Sequence, residues 1–485
     1  MDISASFILS VLYVAVVTVI GIKIIIDSST PSKALGYLLL VILIPILGVF
    51  FYLLVGLNYR KKKLYNKKIE INKQTFPELD SKISSHTTEA LSKHLSEHQD
   101  FFPLSKFLET RDLYLFSSKN SIELLVNGEQ KVPELKRALI AAKHHIHMEY
   151  YIYENDEVGN EIAEILIAKA KEGVKVRFIY DDYGSKNIRK NIVKRLLAAG
   201  VEAYPFYKIN LIWFANRINY RNHRKIVVVD GTTGFIGGIN ISDKYINKED
   251  SKLFWRDTHI KIIGAATLSL QYTFLTDWNF CAQQNIEFST DYFPLENLNK
   301  VFGEHSAQIV SSGPDSDYPD IMYSMVQLIM LAKKEINITT PYFIPDKSFI
   351  DALKIASLSG VKVKVLVPGI SDSLTVNLAS QSHYQELLEA GIQIYRYKRG
   401  FVHSKTLVCD GNVSMVGTAN LDIRSFDLNF ETNAIVYGAV LAKGLLTEFD
   451  NDLKDSEQIA LSEWKNRGAL IKLAEKGLQL FSALM

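Results

Sequence analysis

Apolar positions crowd the start of the chain. Residues 3–22 and 34–57 carry no charged side chain, and after Lys23 the first run stays apolar to Ile26. Each exceeds the roughly 18 apolar residues that signal a membrane-spanning helix. The polar stretch DSSTPSK between them predicts an antiparallel hairpin, with spans over about 3–26 and 34–57. No basic region precedes Ile3 and a second span follows, so a cleaved leader fits poorly.

Beyond about residue 116 the period switches between that of strands and that of helices. Ile122–Val126 reads as a strand closed by an Asn127-Gly128 turn, and Val132–Lys143 as a helix. Ile146–Tyr153 is strand-like, Asn160–Lys171 is helical with Gly173 as its stop, and Val174–Tyr180 suits a buried parallel strand. The second half rhymes with the first. Gln308–Ser311, Tyr318–Lys333 and Glu335–Phe343 repeat strand, helix, strand, and residues 352–367 repeat the helix, its glycine stop and the next strand. This alternation predicts an α/β protein made by duplication: two α/β/α sandwich domains with mixed, mainly parallel sheets behind the hairpin. The expected divisions are 1–58 hairpin, 59–115 basic segment and linker, 116–295 first domain and 296–485 second domain.

Charge sharpens the picture at one place. The net charge of the 485 residues is +2, which argues against a protein that coats nucleic acid. Yet Arg60, Lys61, Lys62, Lys63, Lys67 and Lys68 put +6 into nine residues, so the chain from Ile69 onward carries about −4. The positive-inside rule then puts everything after the hairpin in the cytoplasm, and the same cations can hold anionic lipid headgroups. Two cysteines, Cys281 and Cys409, leave no room for a disulfide framework or a Cys-rich zinc site. Two histidine groups are decoys. His94 and His98 with Glu97 have zinc-protease spacing but sit in a strongly polar window that reads as a solvated helix face, and His144, His145 and His147 read as structural residues at a strand entrance.

The chemistry lies in a second-order repeat. His223-x-Lys225-x4-Asp230 is followed by Gly237 and Asn240, and His403-x-Lys405-x4-Asp410 by Gly417 and Asn420, every position offset by 180. Two such matches by chance would be expected in about one chain in a thousand of this length. Both segments are β-rich, so each His and Lys shares a strand face while each Asp points away, as a support. Gly237 and Gly417 allow a close turn, and Asn240 and Asn420 can return an amide to the site. Two His and two Lys in one pocket suit a phosphodiester: cations hold the non-bridging oxygens, one imidazole attacks phosphorus, and the other protonates the leaving alcohol. Asp257 and Glu431, at comparable places after the two motifs, are candidates to anchor the far ring nitrogens.

These motifs resemble those of the phospholipase D superfamily, and within it the two-span bacterial cardiolipin synthases. Further matching stretches are Pro45, Gly48, Tyr52 and Gly56 in the hairpin, residues 149–152, 340–345, 371–373 and 400–405, and above all 420–431. Thr418 stands where the first motif has the second glycine of its pair, Gly238. The resemblance implies metal-free, cofactor-free transfer of a phosphatidyl group between two phosphatidylglycerols, giving cardiolipin and glycerol. It implies His223 as nucleophile and His403 as general acid and then base, with exchange of these roles left open by the near symmetry. It implies a multi-pass protein of the bacterial inner membrane, with its catalytic domains cytoplasmic. A membrane-tethered phospholipase D-type hydrolase or nuclease is the alternative.

Overall fold

The computed structural model describes residues 5–28, 31–52, 86–88, 90–92, 99–111, 114–206, 220–249, 251, 253–287 and 289–480. The basic cluster Arg60–Lys68, the end of the second expected span and the His94–His98 pattern lie outside the described residues. The chain divides into two compact units, residues 1–70 with 209–220, and 71–208 with 221–485.

In the first unit, helix α1 (Ala5–Asp27) packs on α2 (Pro31–Leu43), which is followed by α3 (Pro45–Phe51). Pro45 has no N–H to continue α2, so the helix breaks at Ile44, which leaves helical geometry at φ −134°. Gly48 then lets the turn of α3 lie against the Leu40 carbonyl, where a Cβ would overlap it. Ile24, Val41 and Tyr52 form the small core, and the Tyr52 hydroxyl donates to Asp27 at 3.2 Å. Among the described residues, no helix is long and apolar enough to cross a membrane. Lys23 and Asp27 fall in the last turns of α1, and the second expected span is divided into pieces of 13 and 7 residues. Val11, Val14, Ile22, Ile26, Ile42 and Leu47 are all exposed within this unit.

The second unit is built on one sheet. Its strands along the chain are β1 (Ser117–Val126), β2 (His145–Tyr150), β3 (Lys175–Tyr180), β4 (Glu202–Pro205), β5 (Lys225–Val229), β6 (Thr233–Gly237), β7 (Thr258–Ile263), β8 (His305–Ser312), β9 (Glu335–Thr339), β10 (Lys362–Pro368), β11 (Gln393–Tyr397), β12 (Thr406–Cys409), β13 (Val413–Gly417), β14 (Asn429–Tyr437) and β15 (Ser456–Gln458). They lie side by side in the order β15-β11-β10-β9-β12-β13-β14-β8-β1-β7-β6-β5-β2-β3-β4. The two halves are therefore one sheet, joined where β1 pairs antiparallel with β8.

The expectation of mainly parallel sheets is corrected here: of the fourteen pairings along that order, ten are antiparallel. Along that order, the parallel pairings are those of β2-β3-β4 and β9-β10-β11, where helices such as α5 (Glu157–Lys171) make the crossovers. The motif strands instead form hairpins, β5 with β6 and β12 with β13. Asp230 and Gly231 have φ +52° and +63°, and Asp410 and Gly411 have +52° and +62°. That pair of left-handed residues makes the mirror-image turn whose twist matches antiparallel strands.

A second correction concerns Asn127-Gly128. It opens helix α4 (Asn127–Ala141) rather than a simple turn, with Asn127 at φ +59°. Its N–H donates to the Asp257 carbonyl at 2.9 Å and its side-chain oxygen accepts from the Asp257 N–H at 2.9 Å. The first turn of α4 is thus sewn to the residue that flanks the site.

Candidate active site

Each motif histidine sits just before its strand, at the bottom of the molecule's sharpest pseudo-symmetry. His223 follows a two-residue strand, Arg221–Asn222, that pairs parallel with Asn429–Phe430, and its own N–H donates to the Phe430 carbonyl at 3.0 Å. His403 follows Gly400–Val402, which pairs parallel with Phe254–Arg256, and its N–H donates to the Arg256 carbonyl at 2.7 Å. The residues next in line are Glu431 and Asp257. The backbone of each half therefore presents its carboxylate to the histidine of the other half.

The side chains follow. His223 Nδ1 lies 3.0 Å from both Glu431 oxygens, and His403 Nδ1 lies 2.7 Å from Asp257 Oδ2. A carboxylate accepts only, so the Nδ1 that faces it is the protonated nitrogen and Nε2 is left for chemistry. Lys225 and Lys405 follow two residues after their histidines, where the strands begin, and each Nζ donates back to its own histidine carbonyl, at 2.7 Å and 2.5 Å. All four side chains are buried. They form one electrostatic cluster, since Lys405 acts on His223 and Lys225 acts on His403.

Burial dominates the protonation of this cluster. It pushes His223 down to about 4 against the pull of Glu431, and His403 well below the ordinary imidazole range, helped by Lys405 and Lys225. It pushes Lys225 down to about 7 and Lys405 down to about 8. The two anchors diverge. Burial raises Asp257 to about 6, whereas at Glu431 the effect of burial is outweighed by His223, Lys225 and Thr418, and the carboxyl lies below its usual range.

The divergence comes chiefly from His223, which lowers Glu431, and a smaller part comes from a position where the two motifs differ. Thr418 Oγ1 donates to Glu431 Oε2 at 2.6 Å. At the matching Gly238 any side chain would overlap the Asp257 carboxylate, which accepts instead from the Thr258 N–H at 2.7 Å. The neighbouring glycines of the motif serve close approach: a Cβ on Gly237 would meet the His259 backbone, and one on Gly417 would overlap the Asn433 side chain.

Two of the expected support roles differ in detail. Asp230 and Asp410 lie at the far ends of the motif strands, away from the histidines. Asp230 accepts from the N–H groups of Lys143, His144 and His145 at 2.8–2.9 Å, and Asp410 from those of Lys333, Lys334 and Glu335 at 2.8–2.9 Å. They pin the start of β2 and β9 and do not touch reacting groups. Asn240 spends its amide within the wall, donating to the Tyr245 hydroxyl at 2.7 Å and accepting from Ile152 N–H at 3.1 Å. The Asn420 side-chain oxygen is buried without a partner.

Sequence reasoning missed Tyr151, Trp255 and Tyr245 of the aromatic walls. Tyr151 stands edge-on to His223 at 4.9 Å, while Trp255, Phe401 and Tyr245 surround His403 at 5.7, 5.9 and 6.1 Å. No periodicity marks them, because Trp255 and Phe401 lie opposite each other on two short paired strands and Tyr151 and Tyr245 come from distant segments. It also missed two buried arginines that hold the anchor peptides. Arg224 bonds the Glu431 carbonyl at 3.3 Å and pairs with Asp277, and Arg256 bonds the Asp257 carbonyl at 2.8 Å and pairs with Asp452 at 2.8 Å. His145 and His147 form a buried chain with Gln271 and Arg177, which the exposed His144 joins through His145, and among the described residues no group of His, Cys, Asp or Glu is arranged to hold a metal ion.

Known proteins resemble this one along its whole length. A family model described as "Cardiolipin synthase, PLD-like domain" matches residues 135–269 and 325–453. The cardiolipin synthase of Alkalihalophilus pseudofirmus is 41% identical over 98% of this chain and 94% of its own. Cardiolipin synthase 2 of Bacillus anthracis is 40% identical over 96% of this chain and 89% of its own. In fold, the chain resembles phosphatidylserine synthase of Haemophilus influenzae, with a TM-score of 0.61 over 79% of this chain and 99% of that one, at 13% identity. The duplicated histidine site and this end-to-end similarity lead to one assignment: the chain belongs to the cardiolipin synthases of the phospholipase D superfamily.

Proposed function

We propose that this chain transfers a phosphatidyl group from one phosphatidylglycerol to another, giving cardiolipin and glycerol through a phosphatidyl-histidine intermediate. What carries this reading is the pair of crossed histidine–carboxylate contacts around two buried lysines, in a chain about 40% identical to cardiolipin synthases from end to end. Lys225 and Lys405 hold the non-bridging oxygens of the donor phosphate. His223 Nε2 attacks phosphorus, the bond to the headgroup glycerol breaks, and His403 gives its proton to the departing oxygen. Glycerol then leaves. The headgroup hydroxyl of the second phosphatidylglycerol gives its proton to His403, and its oxygen displaces His223, restoring both rings.

The unequal anchors support this division of labour. A firmly ionised Glu431 keeps the His223 ring oriented and basic enough to attack. Asp257, raised to about 6, is the weaker counter-ion and makes His403 the readier proton donor once a phosphate anion has drawn a proton to it. The N-terminal helices act as the membrane anchor. Their aliphatic surface is exposed among the described residues, and a hydrocarbon phase is the cover that suits it. The cations at 60–68 then meet anionic headgroups on the cytoplasmic face of the inner membrane.

The test is a product assay on pure phosphatidylglycerol. One glycerol should appear per cardiolipin, and His223→Ala or His403→Ala should each cost several orders of magnitude. Phosphatidic acid as the main product would identify a hydrolase instead, and cleavage of DNA without lipid turnover would identify a nuclease.

A further inference from the structure

The proposed reaction brings two phosphodiester anions to one site. The donor phosphate sits between the histidines. The acceptor carries its own phosphate one glycerol length from the hydroxyl that approaches His403. That second anion needs a cation outside the catalytic four, on the His403 side.

The repeat supplies a pair of such cations. Twenty-one residues after each motif histidine stands a basic residue, Lys244 in the first half and Arg424 in the second. Each begins just after a capped turn: the Ser242 hydroxyl accepts from the Lys244 N–H, and Asp422 accepts from the Ser425 N–H. They cross between halves as the anchors do. Arg424 acts on Tyr151, the ring set against His223. Lys244 belongs to the aromatic wall of His403. Its Nζ lies 4.5 Å over the Trp255 ring and 5.2 Å from the Tyr245 ring centre, and both rings contact the His403 imidazole.

Lys244 is also placed to bind an anion. It is exposed, whereas Lys225 and Lys405 are buried. Among the described residues no carboxylate stands within ion-pair distance of it; Glu154, Asp372, Asp257 and Asp156 act on it only from further away. An ammonium seated on ring faces is held in place without losing its hydrogen-bond donors, which remain for phosphate oxygens. At position 401, two residues before the histidine, the acceptor side carries Phe401 where the nucleophile side carries Arg221, so Lys244 is the cation that the aromatic wall presents.

We propose that Lys244, seated on Trp255 and Tyr245 beside His403, binds the phosphate of the acceptor phosphatidylglycerol. The assignment rests on the transfer reaction proposed above. Two reactions of the full-length enzyme separate it from that reading. Exchange of radiolabelled glycerol into phosphatidylglycerol uses the donor phosphate and a neutral acceptor: the headgroup glycerol leaves, and labelled glycerol returns its proton to His403 as its oxygen displaces His223. Cardiolipin formation from the same mixed micelles uses the anionic acceptor.

For Lys244→Gln, cardiolipin formation below saturation should fall about tenfold to a hundredfold further than glycerol exchange does, the loss expected for one charge-assisted contact. The effect should appear as a raised KM for phosphatidylglycerol, and Lys244→Arg should restore most of it. Glycerol exchange serves as the measure of folding. Parallel loss of both reactions, or loss of neither, would overturn the assignment. A wild-type enzyme that exchanges glycerol yet makes no cardiolipin would overturn the functional reading, and this subsite with it.

Discussion

In the proposed reaction, Lys225 and Lys405 set the upper pH limit of the site. Each must be charged to hold phosphate, and burial brings their pKa values to about 7 and about 8, so the charge is lost as pH rises through that range. His223 must be neutral to attack, and it takes up a proton only as pH falls through about 4. The free-enzyme profile, kcat/KM, should therefore fall as pH rises through about 7 to 8, the fall steepened by the proton that His403 must carry, and should fall again as pH drops through about 4. A bound phosphate favours the ammonium form, so the alkaline limb of kcat should lie above that of kcat/KM. Initial rates in buffered micelles measure both, and a kcat/KM that stays flat to about pH 9 would mean that the lysines keep their ordinary affinity for protons. The histidines and lysines that meet in the proposed site were legible in the sequence, because a His and a Lys two apart on a β-rich run are expected to share a face. Which carboxylate serves which histidine was not: His223 and Glu431 stand 208 positions apart, and only the paired strands before them reveal the exchange.

At the scale of elements, the aspartate of each motif is a hairpin device. Asp230 and Asp410 adopt the left-handed turn and spend both carboxylate oxygens on the N–H groups that open β2 and β9. Alanine at either site removes those acceptors and places an ordinary side chain at positive φ. Chemical denaturation should show a loss of about 2–4 kcal/mol for Asp230→Ala or Asp410→Ala, with most of kcat retained by the folded fraction. A collapse of kcat at unchanged stability would instead put the aspartate in the chemistry. The turns also explain the misread sheet. Alternating strands and helices imply parallel neighbours, and β2-β3-β4 obeys. The Asp-Gly pairs at 230–231 and 410–411, flanked by apolar runs, are the hairpin signal that outweighs the alternation at the centre.

For the whole molecule, duplication was legible and fusion was not. Two similar halves could have been two separate sandwiches, but β1 pairs with β8 and each half completes the other's histidine, so neither half holds a working site. Membrane orientation belongs to this scale too. Its sequence signal is strong, since the link between α1 and α2 has little net charge while residues 60–68 carry +6. By the positive-inside rule, the membrane anchor proposed above would leave the link outside and the catalytic unit inside. The arrangement suits the chemistry, because the substrate headgroups of the inner leaflet lie at that face. It can be read from cysteine accessibility in the full-length protein with Cys281→Ser and Cys409→Ala. In intact cells, a membrane-impermeant maleimide should label Ser28→Cys, in the link, and should reach Glu296→Cys, exposed on the catalytic unit, only after lysis. Labelling of Glu296→Cys in intact cells would invert the topology. Protection of both sites until lysis would mean that the helices enter and leave the bilayer on one side.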